Sequence, residues 1–290
     1  MTRITRMLAA AFVVALPPVV DASTPRFGAI DVATGVKLHY AETGPADGQP
    51  VVFLHGYSDS WFSFSRILPL LPTTYRAFAL DLRGHGKSSR PAQGYAPRDL
   101  AADVIAFLDA QRIDRAVIVG HSMGSIVAQQ VALVAPERVT RLVLVSSVTT
   151  IRNVVGVEDI GGAILSFTDP VPDEFIREFQ NSTVVRPVPT EFMKQVYAES
   201  RRLTARVWQD LLRGMLATDP AVGLGRTGIP TLVLWGERDE GFPRAEQDAL
   251  VRMIGTASLG TFPGTGHAPH WEQPAEFVAA LDAFLRDASK

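Results

Sequence analysis

Ala116-Val117-Ile118-Val119-Gly120-His121-Ser122-Met123-Gly124-Ser125 is the stretch from which the rest of the chain can be read. The apolar run Ala116 to Val119 leads into the pattern G-x-S-x-G at Gly120 to Gly124, and a helical segment follows from Ser125 to Ala135. An unbroken apolar run of this kind is expected of a strand covered on both faces. Strand, sharp turn and helix in that order hold a serine in a strained backbone conformation, with its hydroxyl projecting into a cleft. The glycines on either side are required because a Cβ there would collide with neighbouring backbone. The helix start also places the Met123 N–H at the positive end of a dipole, suited to an anion.

A serine hydroxyl is a poor nucleophile without a base and an acid that orients the base. In this arrangement the acid follows the serine in chain order and the histidine comes last. The apolar run Thr231 to Trp235 leads into Gly236-Glu237-Arg238-Asp239, and a weaker strand pattern, Ser258 to Phe262, leads into Gly264-Thr265-Gly266-His267. Asp239 lies 117 residues after Ser122, and His267 lies 28 residues after Asp239. Position after each strand favours Asp239 over Glu237 and Glu240, and His267 over His270. His270 is then expected at the pocket rim or in solvent. Upstream, Leu54-His55-Gly56-Tyr57 closes the apolar run Val51 to Leu54, 65 residues ahead of the serine. The Tyr57 N–H is expected to pair with the Met123 N–H around a developing oxyanion.

Strand-like and helix-like segments alternate around these motifs. Ala29 to Val32 and Val36 to Ala41 read as a hairpin about Thr34-Gly35, and Tyr75 to Leu80 and Arg141 to Val145 are further buried strands. Leu100, Val104, Phe107 and Leu108 form an amphipathic stripe just after Pro97, and Glu276 to Leu285 also has helical period. The alternation predicts an α/β fold with a mostly parallel, eight-stranded sheet flanked by helices. From 149 to 228 it stops, and helical patterns recur at Glu174 to Phe179, Thr190 to Leu203 and Ala205 to Leu216. This predicts a helical cap between a first core part, 23–148, and a second, 229–290, lying over the sheet edge where ligands bind.

Composition removes other classes. The chain has 290 residues, 28 basic and 30 acidic, and no cysteine. Disulfides, thiol nucleophiles and thiolate metal sites are excluded, and no basic footprint for nucleic acid is present. Gly84-His85-Gly86-Lys87-Ser88 is not a phosphate loop, which would need glycine at Asp81. His267-Ala268-Pro269-His270 has a loose metal-ligand look, but it lacks His-Glu-x-x-His or a second histidine cluster. No metal or other cofactor is expected. At the N-terminus, Arg3 and Arg6 precede an uncharged stretch from Met7 to Val20, and Val20-Asp21-Ala22 supplies a cleavage-like site. Residues 1–22 thus read as a secretory signal peptide, too short and too broken by Pro17-Pro18 to span a bilayer. Export to the periplasm or medium after removal of this segment is expected, with no stable membrane span in the mature protein; a misplaced start upstream of a cytoplasmic protein is the alternative reading.

Gly120 to Gly124, Leu54-His55-Gly56, Asp81-Leu82-Arg83-Gly84-His85-Gly86-Lys87-Ser88 and Gly264-Thr265-Gly266-His267 together resemble the α/β-hydrolase superfamily, over essentially Phe27 to Leu285. The chain is most similar to the branch of serine esterases, enol-lactonases and cofactor-free haloperoxidases. The resemblance implies a Ser122-Asp239-His267 triad, an eight-stranded sheet and a helical cap. Dehalogenases and most epoxide hydrolases of this fold carry aspartate where Ser122 stands. Carbon–carbon bond hydrolases share the serine triad and are not separated by these motifs. The expected partner is a small, apolar ester or lactone. Trp61, Phe242, His270 and Trp271 are the candidate pocket residues, and Phe62, Phe64, Phe167, Phe179 and Trp208 are further aromatics that either line it or pack the cap.

Overall fold

Eight strands form one sheet in the order β1-β2-β4-β3-β5-β6-β7-β8. They are β1 (Arg26–Asp31), β2 (Lys37–Thr43), β3 (Gln49–Leu54), β4 (Tyr75–Leu80), β5 (Ala116–His121), β6 (Val139–Val145), β7 (Thr231–Gly236) and β8 (Ala257–Phe262). The computed structural model describes residues 24–287, so the expected signal peptide lies outside the described residues. β1 and β2 pair antiparallel and β2 joins β4 antiparallel, whereas all pairs from β4 and β3 through β8 are parallel. The hairpin supplies the antiparallel edge.

The central strands carry unbroken apolar runs through their middles because both of their faces are covered. Val52, Leu54, Ile118, Leu144 and Val233 point into one core, shared with Leu100, Val104 and Phe107 of α1 (Pro97–Ala110) and Ile126, Val127 and Val131 of α2 (Met123–Val134). Their neighbours Val51, Phe53, Val117, Val119, Val143, Val145 and Leu234 point into a second core, with Phe64, Ile67 and the helix that ends the described chain. Each such side chain, when fully buried, stabilises the fold by about 1.5–3 kcal/mol, so the alternate positions fix the sheet between two helical layers.

Four helices occupy the connection from β6 to β7: α3 (Val157–Ser166), α4 (Asp173–Ser182), α5 (Thr190–Ser200) and α6 (Ala205–Leu216). The last three fall on the expected helical patterns. α3 is not among the expected helical patterns, and its Gly161-Gly162 pair disfavours helix. Tertiary packing overrides that preference: a Cβ on Gly161 would sit 3.5 Å from Leu212 Cδ2, so α3 lies close against α6. After β7 come α7 (Arg244–Ile254), the short α8 (Pro269–Glu272) and α9 (Pro274–Arg286). Among the described residues no helix is long and apolar enough to cross a membrane.

The segment after β4 is built around Asp81. Its carboxylate accepts from Trp61 N (2.8 Å), Lys87 N (2.8 Å) and His39 Nδ1 (2.8 Å), and Ser88 Oγ donates to its carbonyl (2.6 Å). The Gly-His-Gly-Lys run is therefore a turn folded back on this carboxylate. Buried Arg83 makes a two-pronged pair with buried Asp103 of α1, which anchors the loop to the helix layer.

Where β5 turns into α2 the packing is tightest. A Cβ on Gly120 would meet Gly124 O at 2.2 Å, and one on Gly124 would meet Leu54 O at 2.1 Å. Neither carbonyl can yield without moving α2 or central strand β3. Gly124→Ala is expected to cost at least about 2 kcal/mol of stability in urea unfolding. Gly162→Ala, whose added Cβ meets nothing within 4 Å, is expected to be neutral or to stabilise α3 by up to about 1 kcal/mol. Equal midpoints for the two variants would contradict this account of the turn.

Candidate active site

Ser122 holds φ 51° and ψ −119°, a conformation that costs of the order of 1–3 kcal/mol for a residue with a side chain. It is kept there from both sides. Ser122 N donates to Val145 O of β6 (2.9 Å), and Ser122 O accepts from Ser125 N (2.9 Å) and Ser125 Oγ (2.6 Å). Ser125 Oγ also shares a hydrogen bond with Ser147 Oγ (2.7 Å), which in turn accepts from Gln129 Nε2 (3.0 Å). This buried chain fastens the first turns of α2 to the end of β6.

The loops after β7 and β8 meet each other. Arg238 N donates to Thr265 O (2.8 Å) and Glu237 N to Phe262 O (3.1 Å), which brings His267 Nδ1 to 2.8 Å from Asp239 Oδ2. The other carboxylate oxygen, Oδ1, accepts from Phe242 N (3.0 Å), so both oxygens of the buried Asp239 are engaged. With Nδ1–H donating to the carboxylate, His267 Nε2 carries the free lone pair. Glu237 and Glu240 are exposed and make no such contact with His267. Ser122 and His267 line the same cavity wall with no hydrogen bond recorded between them among the described residues, as is common before a substrate draws such groups together.

Tyr57 is aimed by a residue the sequence reading left without a role. His55 is fully buried, and burial pushes its pKa down to about 4, so it is neutral. Its Nε2 accepts from Leu82 N (3.1 Å), which leaves Nδ1–H to donate to Gly56 O (2.8 Å). In a trans peptide the N–H points opposite to the preceding C=O. Pinning the Gly56 carbonyl on His55 therefore turns the Tyr57 N–H away from His55, and both Gly56 and Tyr57 line the cavity. The Tyr57 hydroxyl donates to Trp208 O of α6, so the inserted helices and this loop are fastened to each other.

The cavity measures about 330 Å³. Phe242, Trp271, Met123 and Phe179 line it, but Trp61 and His270 do not, which corrects the expectation for those two. Trp61 opens a short helical turn and packs its ring on Phe27 of β1, with centroids 4.9 Å apart, at the sheet edge. His270 is neither at a rim nor in solvent: it is fully buried, stacks on Phe64, and places Nε2 3.1 Å from Ser63 Oγ. Burial first, then the neighbouring His267, pushes its pKa down to about 3. Phe62, Phe64, Phe167 and Trp208 also pack rather than line, as aromatic side chains generally do in cores.

Asp59 was not anticipated. It is 5% exposed, lines the cavity, and accepts from Gln180 Nε2 of α4 (3.1 Å) and Ser63 Oγ (3.3 Å). Burial raises its pKa to about 7, despite these donors and the nearby His267. Its only sequence signal is an acidic residue two positions after a strand-end His-Gly-Tyr. An unfolded aspartate ionises near 4, so between there and about 7 the unfolded chain has released a proton that the folded one retains. Stability from this group is fully present below the unfolded value and is lost as pH rises through the folded one. Relative to wild type, Asp59→Asn is expected to gain unfolding free energy progressively from about pH 4 to about pH 7, by a few kcal/mol at most. A difference independent of pH in urea titrations would contradict the assignment.

The family model for the Alpha/beta hydrolase family matches residues 51–280. Among characterised relatives, a non-heme chloroperoxidase of Streptomyces lividans is 30% identical over 290 residues, spanning 89% of this chain and 99% of the relative. A 2-hydroxymuconate semialdehyde hydrolase of a Pseudomonas species is 27% identical, spanning 92% and 96%. Among solved structures, an esterase from a Rhodococcus species superposes with a TM-score of 0.79 at 27% identity, covering 91% of this chain and 98% of that one. Sheet order, strand-end loops and sequence agree: the chain belongs to the alpha/beta hydrolase family.

Proposed function

We propose that this hydrolase cleaves small, fairly apolar carboxylic esters or lactones through an acyl-enzyme on Ser122. The observation that carries the reading is the strained Ser122 on a cavity wall shared with a His267 that Asp239 already holds. In the proposed reaction, His267 Nε2 takes the Ser122 proton as Oγ bonds to the ester carbonyl carbon. The carbonyl oxygen becomes an oxyanion facing the Tyr57 and Met123 N–H groups, where one donor is worth on the order of 3 kcal/mol. The carbon–oxygen bond to the alcohol then breaks and His267 returns the proton to it. Water, deprotonated by His267, then attacks the acyl carbon, the bond to Ser122 Oγ breaks, and His267 returns the proton to Oγ as the acid leaves. The helices between β6 and β7 act as a cap that closes the apolar side of the cavity.

Relatives named as dienedioate hydrolases act on compounds with two carboxylates. Among the described residues neither lysine nor arginine lines this cavity, whereas Asp59, Asp239 and Glu240 do. That charge balance favours an uncharged ester over an anionic carbon–carbon substrate. The chloroperoxidase relative supports a second reading, in which peroxide replaces water in the final step and yields a peracid.

A fluorophosphonate probe is expected to add a single mass increment to wild type and none to Ser122→Ala. Asp239→Asn is expected to lower ester kcat about 10⁴-fold with the fold retained. Peroxide-dependent product at a rate exceeding ester hydrolysis would move the second reading ahead. A folded wild type that takes no adduct would remove both and leave a ligand-binding role.

A further inference from the structure

The wall of the cavity divides by chemistry. One side is apolar, formed by Ile151, Val154, Val157, Ile164, Leu212 and Met215. At the C-terminal end of α4 and on the loop after β3 the lining is polar, with Asp59, Gln180, Ser182 and Thr183; Glu240 instead lies beside the apolar segment, where Val155 N donates to Gly241 O. What decides the chemistry of the polar side is where its hydrogens go.

Its donors are directed into the protein. Gln180 Nε2 lies within hydrogen-bond reach of Ser58 Oγ (3.1 Å), Asp59 Oδ1 (3.1 Å) and Ser200 Oγ (2.9 Å), which leaves the amide oxygen as the group it offers. Ser182 Oγ donates to Phe179 O (2.8 Å), and Thr183 Oγ1 donates to Gln180 O (2.7 Å), so both hydroxyl oxygens remain as acceptors. His121 is 2% exposed and its Nε2 is 3.0 Å from His267 O, a carbonyl, so the proton is on Nε2. Its Nδ1 is buried and without a partner among the described residues, so His121 offers the cavity no donor. Asp59 adds carboxyl oxygens. Beyond Ser122, His267 and the two backbone N–H groups beside them, these side chains accept hydrogen bonds and do not offer them.

From this wall we infer that the polar side of the cavity is a subsite for an uncharged, hydroxyl-bearing half of the substrate, making the preferred ester one that joins an apolar chain to a polyol. A hydroxylated group supplies the donors that the wall lacks. A plain alkyl group would displace water from the buried Gln180 amide oxygen without replacing its hydrogen bond, a cost that discriminates against an analogue lacking a hydroxyl. A carboxylate or phosphate there would face acceptors and the Asp59 carboxyl group, with no lysine or arginine among the described lining residues to meet it. The inference rests on the ester-hydrolase reading and narrows its substrate.

The test compares glycerol monobutyrate with n-propyl butyrate, which has the same carbon skeleton without the extra hydroxyls, and with 3-(butyryloxy)propanoate, which places a carboxylate there. At about pH 8, where Asp59 is ionised, wild type is expected to favour glycerol monobutyrate over propyl butyrate by at least about tenfold in kcat/KM, with the anionic ester poorest. The double variant Ser182→Ala with Thr183→Val is expected to reduce that ratio several-fold, with the loss falling on kcat/KM for glycerol monobutyrate. Ser182→Ala alone provides the same reading if the double variant fails to fold. Equal rates on the glycerol and propyl esters, or preference for the anionic one, would overturn the inference while leaving ester hydrolysis standing. Cleavage of none of the three would overturn the hydrolase reading and this one with it.

Discussion

The structure depends on one steric constraint, the contact of the turn after β5 with its neighbours. Gly124 lies so near Leu54 O, and Gly120 so near Gly124 O, that neither has room for a single extra carbon. This closeness lets α2 start directly above the sheet, immediately after Ser122. It forces the serine to a positive φ, and the strain is held by bonds from Val145 of β6 and Ser125 of α2. Such strain persists only where the surroundings over-determine it. Here the surroundings are two parallel strands buried on both faces and a buried Ser125–Ser147–Gln129 chain.

The same edge of the sheet collects the other groups. Loops after β3, β5, β7 and β8 bring Gly56 and Tyr57, Ser122, Asp239 and His267 to one cavity because parallel strands all end on the same side. Around them lie buried imidazoles that burial keeps neutral: His55, His85, His121 and His270 are all pushed below the ordinary histidine value. Each therefore serves as a rigid donor–acceptor unit and adds no charge. His55 sets a peptide plane, and His121 braces the His267 backbone. His267 differs from them in being partly exposed and in having a carboxylate partner at its inner nitrogen.

Much of the architecture was legible in the chain itself. Continuous apolar runs marked the buried strands, and even the weak Ser258 to Phe262 pattern lies within β8. Strand ends followed by Gly-rich loops located the residues that now share the cavity. The reading was poorer wherever a residue's surroundings come from distant segments. α3 forms against its glycine pair because α6 packs beside it. Trp61 and His270 sit close in sequence to cavity residues, yet Phe27 and Phe64 draw them into packing. Asp59 looked like any loop acid until Gln180 of α4 and Ser63 closed over it.

The sequence by itself determined what local backbone chemistry dictates: strand and helix order, the sterically required glycines around Ser122, and the absence of thiol chemistry. Only the tertiary structure decided which side chains line the cavity and where the Gln180 and His121 donors are directed. Those properties depend on hydrogen bonds between segments more than a hundred residues apart, such as Gln180 with Asp59 and His121 with the His267 carbonyl. A local pattern cannot encode the direction of a donor whose partner is set by the fold.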